Sequence, residues 1–586
     1  MEFEKLIDNL KAKKTLQQIF HAVVSNDNKI ASEWSTNGKI AQITYRQYKE
    51  KVIRTAFKLK TTIGAKNYRR FIGLQLDTCP EWPIFFWALL MAGFRPILID
   101  PKITDHLRDH IIDESKLIAL ISPDEKNKSL KVKHLSLNWL LNDIGLEPPP
   151  RWKPKWADEV ALCTSGTTAT SKIYVYTGSA LALQVLNFES ASRENFRLSA
   201  KRDMRVLAFL PFHHIFGFTG VYLWHSFIGK TIIYLENKAP TTIKETCLKH
   251  RVTHLLTVPV LLNGLAKAIR QKASRGTVKK ALFHSLLTTG RYLQKVFPDQ
   301  GSKIAFKKLF GPVMKEILGP DLECIMCGGG HVLPETLKQL SSMGFFIVCG
   351  FGMTEVGITS LETSSNLKIR LSESLGKAFP SVEYAILPTD HELNEGVGEL
   401  YIRGKSLHSW RLKKGELVKP DIDKKGWLKT GDVASIENGR LFIRGRIKDV
   451  IINESGENVY PDEIEDYFGG IPHISDYSVL GIKKTSAYED ITLVLYSESL
   501  DLDNFDEKKL SEISNIVFKI KDRMPISKSV AKILISAKPL PKANQIKVQR
   551  QKLKREIESG AWPTFPLARD KIDGNTSRMI STKRGK

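Results

Sequence analysis

The residues with the clearest capacity for chemistry form a hydroxyl-rich loop that runs from Thr164 to Lys172. Serines and threonines fill most of this loop, with Gly166 near its start, and it follows an apolar run beginning at Val160. The backbone N–H groups and hydroxyls of such a loop can hold phosphate oxygens, and the closing lysine supplies a positive charge. The pattern is not the G-x-x-x-x-G-K-[ST] of a Walker A loop. A Ser/Thr-rich surface turn is the alternative interpretation.

Two glycine-rich turns further along the chain each follow a strand-like run. The first contains Gly328, Gly329 and Gly330, and the second reads Gly350-Phe351-Gly352-Met353-Thr354-Glu355. Glycines let the backbone approach a planar ligand closely. Thr354 offers a hydroxyl to a phosphate, and Glu355 offers a carboxylate to Mg²⁺. Each turn taken alone reads more simply as an ordinary tight turn.

Charged residues in the last third of the chain could complete a nucleotide site. Asp432 closes a Thr-Gly-Asp turn, where its carboxylate could accept hydrogen bonds from both hydroxyls of a ribose. Arg446 could bind ribose or phosphate oxygens. Lys547 lies in a basic loop that leads into a helix. Taken in isolation, these residues are more typical of a hairpin turn, a solvated ion pair and a solvated basic surface.

Two adjacent histidines, His213 and His214, follow a strand-like run that ends before Pro211. Open α/β sheets bind ligands at the carboxyl ends of their strands, which is where this pair is predicted to lie. No carboxylate is close in sequence to orient the imidazoles, so general-base catalysis is not favoured. Structural histidines that satisfy their hydrogen bonds within the core are the alternative.

The elements that must position these residues alternate between strands and helices. Strands are predicted at 71–76, 95–100 and 117–122, with a helix from Pro80 through 92 between the first two, which is the spacing of βαβ units with parallel sheet. The same rhythm recurs at 205–210, 231–235 and 254–258. After about residue 380 the strands are joined by short turns, which favours antiparallel pairing. The fold class is therefore predicted to be α/β.

Composition limits what kind of protein this is. A length of 586 residues gives roughly four domain-sized units, and 42% hydrophobic with 26% charged residues is typical of a globular chain. The excess of 25 positive charges indicates an anionic partner, such as nucleic acid, nucleotides, a membrane surface or an acidic protein. Six cysteines are too few for a disulfide scaffold, and Cys324 and Cys327 fit a buried strand better than a zinc site. The charged N-terminus lacks an apolar signal core, which predicts a cytoplasmic location.

Together and in this order, the motifs resemble the adenylate-forming enzymes, the family of acyl-CoA synthetases, peptide-synthetase adenylation domains and firefly-type luciferases. The resemblance spans about residues 40–555. Thr164 to Lys172 matches T-S-G-T-T-G-x-P-K, except that Ala169 replaces Gly and Ser171 replaces Pro. Phe351 to Glu355 matches Y-G-x-T-E, and Thr-Gly-Asp432 and the hinge motif around Lys448 are intact. The catalytic-lysine motif keeps Lys547, although Ala543 and Ile546 replace its usual Thr and Gly.

The resemblance implies a two-body architecture. A large compound N-terminal body of mixed and parallel sheets layered with helices, with a β-rich subdomain, is expected over 1–445. A small, mobile α+β cap carrying Lys547 is expected over 446–560, followed by a basic, flexible tail over 561–586. In such enzymes the small domain swings about the position of Lys448 between two half-reactions.

The resemblance also implies the chemistry. The carboxylate of an acid attacks the α-phosphorus of ATP, pyrophosphate leaves, and a thiol then displaces AMP. Lys547, Thr354, Glu355 and His214 are the expected catalytic residues, with Glu355 holding Mg²⁺. The expected nucleotide-binding residues are Thr164, Ser165, Gly166, Thr167, Thr168, Lys172, Gly328, Gly329, Gly330, Phe351, Gly352, Asp432, Arg446 and Lys448.

The acid and its acceptor are less strongly indicated. Pro211 to Gly217 is similar to the P-L-F-H-x-x-G of fatty acyl-CoA synthetases, so a medium- or long-chain fatty acid is predicted, with Phe212, Phe216, Phe218 and Trp224 as tunnel lining or as ordinary core. The acceptor is predicted to be coenzyme A. The phosphopantetheine of an acyl carrier protein is the alternative, and peripheral membrane contact stays open.

Two other classes stay open as well. A nucleic-acid-binding protein is prompted by the positive charge, although the chain carries no zinc-finger or RNP-type motif and no nucleic-acid partner is expected. A degenerate family member that binds ATP or acyl groups without turnover is prompted by Ala169, Ala543 and Ile546. The retained Lys172, Glu355, Asp432, Arg446 and Lys547 count against it.

Overall fold

The structure is a computed structural model that describes residues 2–123, 132–141, 147–164, 171–273, 277–388, 396–453, 458–484, 488–500, 507–543 and 547–569. The described strands, in chain order, are β1 (Ile30–Thr36), β2 (Lys39–Thr44), β3 (Phe71–Leu74), β4 (Arg95–Leu98), β5 (Ala119–Ser122), β6 (Lys133–Ser136), β7 (Glu159–Cys163), β8 (Ile173–Thr177), β9 (Arg205–Leu207), β10 (Thr231–Ile233), β11 (His254–Thr257), β12 (Cys324–Cys327), β13 (Ile347–Met353), β14 (Gly357–Leu361), β15 (Lys377–Ala378), β16 (Val382–Leu387), β17 (Val397–Gly404), β18 (Trp410–Lys413), β19 (Glu416–Val418), β20 (Leu428–Glu437), β21 (Arg440–Arg446), β22 (Ile451–Ile452), β23 (Asn458–Val459), β24 (Asp476–Lys483), β25 (Glu489–Tyr496), β26 (Lys532–Ser536), β27 (Lys542–Ala543), β28 (Lys547–Val548) and β29 (Thr564–Pro566).

The described α-helices are α1 (Glu2–Ala12), α2 (Leu16–Val23), α3 (Tyr45–Ile63), α4 (Trp82–Met91), α5 (Asp105–Ser115), α6 (Leu137–Leu141), α7 (Gly178–Glu194), α8 (His225–Phe227), α9 (Pro240–Lys249), α10 (Pro259–Ala273), α11 (Thr277–Val296), α12 (Pro298–Ile304), α13 (Gly311–Ile317), α14 (Pro334–Ser342), α15 (Leu367–Arg370), α16 (Pro461–Glu465), α17 (Glu507–Lys521) and α18 (Arg550–Glu558). Phe216–Trp224 and Ala305–Leu309 are π-helical. Among the described residues, no helix combines the length and the apolarity needed to cross a bilayer.

The chain divides into two compact units. The first contains Met1–Val332, Thr336–Tyr384 and Ile402–Leu428, and the second contains Leu333–Glu335, Ala385–Tyr401 and Lys429–Lys586. The expected boundaries at 446 and 561 stay predictions. However, Thr564–Pro566 pairs with β26 and Trp562 is buried, so the ordered chain continues into the predicted tail as far as residue 569. The rest of that tail, 570–586, lies outside the described residues.

The first unit contains two sheets layered with helices, which confirms the predicted α/β class. One sheet has the order β19-β18-β8-β7-β4-β3-β5-β6, and the other, within this unit, runs β15-β14-β13-β12-β11-β9-β10-β1-β2. The predicted strands of the first βαβ segment are β3, β4 and β5, and β3 pairs in parallel with both of the others. Between β3 and β4, every residue of α4 is buried, because the helix is apolar on all sides.

Aromatic side chains dominate the core beside α4. Phe212 and Phe218 are fully buried, and their rings lie 5.3 Å from Trp82 and 5.1 Å from Phe86. Trp224 is also buried. These three side chains are therefore core residues, which favours the second of the two interpretations given above.

The cysteines of the described chain are unpaired thiols in apolar surroundings. Cys324 and Cys327 begin and end the fully buried strand β12, as predicted, and Cys327 is the register partner of Cys349 on β13. Burial raises the pKa of Cys324 and of Cys349 to about 12. The C-x-x-C pair is thus structural.

The second unit is built on a separate sheet of order β24-β25-β26-β29, with α16, α17 and α18 around it. β24 and β25 form a long antiparallel hairpin, and the parallel neighbour of β25 is β26. β20 and β21 pair antiparallel with a bulge between Val433 and Ala434, as predicted for the strands after residue 380. The mixture of antiparallel hairpins and helices confirms an α+β character for this part of the chain.

Two buried histidines are expected to make the first unit sensitive to acid. Burial lowers the pKa of His225 from 6.5 to about 3 and that of His254 to about 4. Nδ1–H of His225 donates to the carbonyl of Gly220 at 2.8 Å, and Nε2–H of His254 donates to the carbonyl of Arg197 at 2.9 Å. Both rings are therefore held neutral.

Below pH 6.5 these two histidines bind protons in the unfolded chain but stay neutral in the folded chain. Their contribution to the free energy of unfolding is therefore complete above pH 6.5 and falls as the pH drops toward 4. Each ring contributes a slope of about 1.4 kcal/mol per pH unit. Urea unfolding from pH 7.5 to 5 should therefore show a falling midpoint. The double variant His225→Asn, His254→Gln keeps both hydrogen-bond donors and should make the free energy of unfolding depend less steeply on pH. The exposed control His284→Gln should leave that dependence unchanged. An equally steep slope in the double variant would contradict this assignment.

Candidate active site

Strands β7 and β8, which flank the predicted phosphate loop (Thr164 to Lys172), form an antiparallel hairpin. At its mouth the N–H of Thr164 donates to the carbonyl of Lys172 at 2.9 Å, and the hydroxyl of Ser171 donates to the carbonyl of Thr164 at 2.8 Å. The Lys172 side chain is exposed. Ser165, Gly166, Thr167 and Thr168 lie outside the described residues. The hairpin thus presents both ends of the loop side by side, with the lysine free of the core.

The turn that carries Thr354 and Glu355 is tied directly to β8. The hydroxyl of Tyr174 donates to a carboxylate oxygen of Glu355 at 3.1 Å, and the hydroxyl of Tyr176 donates to the carbonyl of Thr354 at 2.7 Å. Side chains two residues apart on a strand share a face, so the Ile-Tyr-Val-Tyr sequence of β8 aims both hydroxyls at one turn. The strand that leaves the phosphate loop therefore positions the predicted magnesium ligand.

His408 holds the same turn from another segment. Its Nδ1–H donates to the carbonyl of Glu355 at 2.6 Å, and its ring lies 4.7 Å from that of Tyr174. Burial lowers the pKa of His408, which keeps the imidazole neutral at pH 7. Nε2 of this ring is buried with no hydrogen-bond partner among the described residues.

A buried glutamine completes the support. Gln184 lies on α7, whose first turn is capped by Thr177 at the end of β8. Its amide donates to the carbonyls of Val356 at 3.3 Å and Ser406 at 3.0 Å, and its oxygen accepts from the N–H of Ile358 at 2.9 Å. Gly357 has a φ of +76° between these contacts, and a Cβ there would collide with the Gln184 side chain. The turn is therefore fixed at its backbone as well as at Glu355.

The two glycine-rich turns meet beside an aromatic ring. β12 and β13 are parallel neighbours with Cys327 opposite Cys349, so Gly328, directly after β12, lies beside Gly350, which is still within β13. A Cβ on Gly328 would lie 3.2 Å from the ring of Phe216 and 3.3 Å from the carbonyl oxygen of Gly350. Gly328 is buried, whereas Gly329 and Gly330 are exposed. Phe351 and Gly352 follow on β13 at a bulge and are half-buried. A side chain at Gly328 would therefore be tightly packed, and Phe216 or the backbone at Gly350 would have to move slightly to admit it.

The histidine pair lies in a polar cluster. Nε2 of His213 is 3.7 Å from a carboxylate oxygen of Asp100, and the two imidazole rings are 4.3 Å apart. Burial lowers the pKa of both histidines; His214, Lys238 and Lys102 lower that of His213 further, whereas Asp100 opposes the shift at His214. The structure supplies the carboxylate that is missing nearby in sequence, because β4 ends beside the loop that follows β9.

The donor atoms of Asp100, His213 and His214 lie within 4.8 Å of one another, close enough to share one cation. However, the positive charges of Lys102 and Lys238 act on the same cluster, and burial lowers the pKa of Lys238. Two cations at this position oppose a third. The cluster therefore favours an anionic or neutral polar ligand over a metal ion.

The remaining predicted residues belong to the second unit. Nε of Arg446 lies 2.7 Å from a carboxylate oxygen of Asp432, which is buried, and the N–H of Asp432 donates to the hydroxyl of Thr430 at 3.1 Å. Lys448 is exposed, and its carbonyl accepts from the side chain of Gln551 at 2.6 Å. Lys547 begins β28, opposite Ala543 of β27, and its side chain lies outside the described part of the structure.

Comparison with known proteins decides the family. Residues 19–409, two thirds of the chain, match the family described as AMP-binding enzyme. The chain belongs to the AMP-binding enzyme family.

Relatives of this AMP-binding enzyme act on different acids, by their names. The chain is 24% identical over 456 residues to a 2-succinylbenzoate–CoA ligase of Bacillus pumilus, covering 75% of this chain and 80% of the relative. It is also 24% identical over 487 residues to long chain acyl-CoA synthetase 1 of Arabidopsis thaliana, covering 75% and 72%.

The fold is shared with a solved family member. The Bacillus subtilis o-succinylbenzoate coenzyme A synthetase, in complex with ATP and a magnesium ion, aligns with a TM-score of 0.68 at 19% identity, covering 92% of this chain and 98% of that one. The adenylate-forming fold predicted from the motifs is thereby confirmed.

Sequence reasoning missed four residues that position the Thr354–Glu355 turn of this AMP-binding enzyme, namely Tyr174, Tyr176, Gln184 and His408. The alternation of tyrosines on β8 was a usable signal, because it puts both hydroxyls on one face. Gln184 and His408 left no such signal, since their partners are more than 50 residues away in sequence.

Proposed function

We propose that this AMP-binding enzyme activates a carboxylic acid with ATP to an acyl-adenylate, releasing pyrophosphate, and then transfers the acyl group to the thiol of coenzyme A. The observation that carries the proposal is the hydrogen bond from Tyr174 to Glu355. It joins the strand leaving the predicted phosphate loop to the predicted magnesium ligand, and so supports a site in which both are held in fixed positions, on which phosphoryl transfer depends.

The described residues fit a magnesium ion. Glu355 and Thr354 offer hard oxygen ligands, which Mg²⁺ prefers, and Glu355 is half-buried rather than sealed in the core. Bound there, the ion would neutralise charge that develops on phosphate oxygens. Tyr174 and His408 orient the carboxylate and its carbonyl, so the ligand is fixed before substrate arrives.

The first acid we propose is a medium- or long-chain fatty acid, supported by the resemblance of Pro211 to Gly217 and by the plant acyl-CoA synthetase among the relatives. A second candidate is an acid with a further polar or charged group, as the name 2-succinylbenzoate–CoA ligase suggests. The polar cluster of the buried His213, the half-buried Asp100 and the exposed Lys238 favours it, because these groups can pair with a further polar or charged group of the acid, whereas an alkyl chain offers them no partner.

The test measures pyrophosphate release by the full chain with ATP and Mg²⁺ across acetate, octanoate, palmitate, benzoate and 2-succinylbenzoate. Release with octanoate or palmitate supports the fatty acid, and release confined to 2-succinylbenzoate supports the second candidate. Coenzyme A and an acyl carrier protein are then compared as acceptors, with thioester and AMP as products. ATP binding without pyrophosphate release from any acid would indicate a degenerate member and overturn the proposal.

Loss of the glutamine that supports the turn should raise the magnesium requirement. Gln184→Leu leaves two carbonyls and one N–H buried and unsatisfied, at a cost of roughly 1–3 kcal/mol each, so the turn should relax and Glu355 should lose its position. We expect the Mg²⁺ concentration for half-maximal pyrophosphate release to rise about tenfold.

A matched control for this variant is Gln339→Leu. Gln339 is also buried in the first unit, but its amide donates to the carbonyl of Ala266 on α10 at 3.1 Å rather than to the turn. It should lower stability without changing the magnesium dependence. Equal magnesium dependence in both variants would show that Gln184 does not position Glu355.

A further inference from the structure

Helix α11 has two opposite apolar faces, and one of them is anchored to the first unit. Phe283, Leu286 and Leu287 pack against a buried core cluster. Gly290 lies so close to α14 that a Cβ would collide with the carbonyl oxygen of Ser342. The buried amide of Gln294 donates to the carbonyl of Ser341 at 2.7 Å. This inner face fixes the orientation of the helix.

The opposite face is apolar and exposed. Val278 is 79% exposed, Leu282 59% and Tyr292 66%, and Val296 is also exposed. Val278 and Leu282 are one turn apart near the start of the helix, and Tyr292 and Val296 are one turn apart near its end. Because the fourteen residues from Val278 to Tyr292 are close to four helical turns, both pairs lie on the same side, which we call the stripe, with the exposed Ser285 and Thr289 between them. Phe297 and Ile304 are further exposed apolar residues, just before α12 and at its end. Exposed apolar side chains grouped on one side of a helix indicate an interaction site.

The same segment is strongly basic. Residues 277–308 contain seven basic side chains and a single acidic one, Asp299, which gives a formal charge of +6. The basic residues are Lys279, Lys280, Arg291, Lys295, Lys303, Lys307 and Lys308. The six lysines are exposed. We call residues 277–308 the basic helical hairpin.

We propose that the basic helical hairpin docks on the surface of a bilayer that contains anionic phospholipid. An apolar stripe flanked by lysines is the pattern of a helix that lies in the membrane interface, where the stripe enters the boundary between headgroups and acyl chains. The lysines then meet lipid phosphates and carboxylates, so their charge is complementary to the surface. The anchored inner face means that the stripe is presented without refolding of the helix.

The test is co-sedimentation of the full chain with vesicles of phosphatidylcholine, with or without about 30% phosphatidylserine. We expect binding to the anionic vesicles, and weaker binding in high salt. The Lys279→Glu, Lys280→Glu pair should bind roughly 30-fold more weakly, from about fivefold per lysine. The Leu282→Glu, Tyr292→Glu pair should lower the affinity for anionic vesicles by roughly tenfold or more.

Matched controls change the same residue types elsewhere on the surface. Lys424→Glu with Lys425→Glu alters the charge equally at exposed positions, and Ile526→Glu replaces a side chain that is 96% exposed. Both controls should keep vesicle binding. Thermal unfolding, and pyrophosphate release with a water-soluble acid that the unmodified chain activates, should be unchanged in every variant, which separates loss of docking from loss of fold or activity.

Three outcomes would overturn the proposal. One is vesicle binding by the hairpin variants that equals that of the unmodified chain. Another is no preference for phosphatidylserine. The third is concentration-dependent self-association that the Leu282→Glu, Tyr292→Glu pair abolishes while vesicles bind nothing, since it would assign the stripe to a second copy of the chain. None of these results depends on which acid the enzyme activates.

Discussion

Replacing Lys547 with alanine is expected to slow acyl-adenylate formation by about 10²–10³-fold, which corresponds to roughly 3–4 kcal/mol of transition-state stabilisation. The resemblance assigns this lysine to the α-phosphate and the substrate carboxylate, where negative charge develops as pyrophosphate leaves. A single positioned donor of this kind has an effect of that size in other enzymes. Single-turnover pyrophosphate release with a saturating acid measures the step directly.

The control for this variant is Lys552→Ala on α18. Lys552 lies five residues further along, is about half exposed, and lies 3.9 Å from Glu556 in a surface ion pair of small energetic value. It should release pyrophosphate at the normal rate. Lys547→Ala should also leave the thioester-forming step intact when acyl-adenylate is supplied. An unchanged rate of adenylate formation would remove Lys547 from the catalytic site, and the proposed activity would then need another cation.

Replacing Arg550 with alanine is expected to destabilise the second unit by about 3–5 kcal/mol, because it leaves buried carboxylates without their counter-ion. The Arg550 side chain is only 9% exposed, and its guanidinium pairs with Glu465 at 2.7 Å, with Asp449 at 3.5 Å and with Asp462. Burial raises the pKa of Glu465, and Arg550 opposes that rise. Glu465 in turn accepts from the N–H of Val479 at 2.8 Å, so the network joins α18, α16 and β24.

Hydrogen exchange of peptides from 458–484 and 547–569 measures this loss in the full chain. Arg555→Ala, an exposed arginine on the same helix, should leave protection unchanged. In Arg550→Ala the pKa of Glu465 should rise further above its unfolded value, so the lost stability should return partly as the pH falls toward 5. Normal protection at pH 7.5 would mean that the three carboxylates are compensated by other groups.

Local patterns predicted the framework well and the site's supports poorly. The buried strands β3, β4 and β5 and the apolar helix α4 were predictable because their runs of apolar residues are bounded by Pro and Gly. Their order in the sheet was not predicted, and the structure places β3 between β4 and β5. The role of Phe212 and Phe218 was ambiguous, because a tunnel lining and a packed core require the same side chains. Burial resolves it.

The supports of the Thr354–Glu355 turn needed the structure. Gln184 donates to the carbonyls of Val356 and Ser406, which follow it in the sequence by 172 and 222 positions, and no pattern in the sequence around it indicates this role. The carboxylate beside His213 likewise comes from a different strand, β4, and is absent from the local sequence. Thr564–Pro566 was assigned to a loose tail because it lacks periodicity, yet a three-residue edge strand is too short to show any.

The native cysteine thiols are expected to react slowly with alkylating reagents. Burial raises the pKa of Cys79, Cys163 and Cys247 to about 12, as it does for Cys324 and Cys349, so the reactive thiolate is scarce at neutral pH. A cysteine introduced at the exposed position of Val278 would therefore take up a fluorophore selectively without removal of the native thiols. A single spectroscopic reporter could then follow the outer face of α11 in real time.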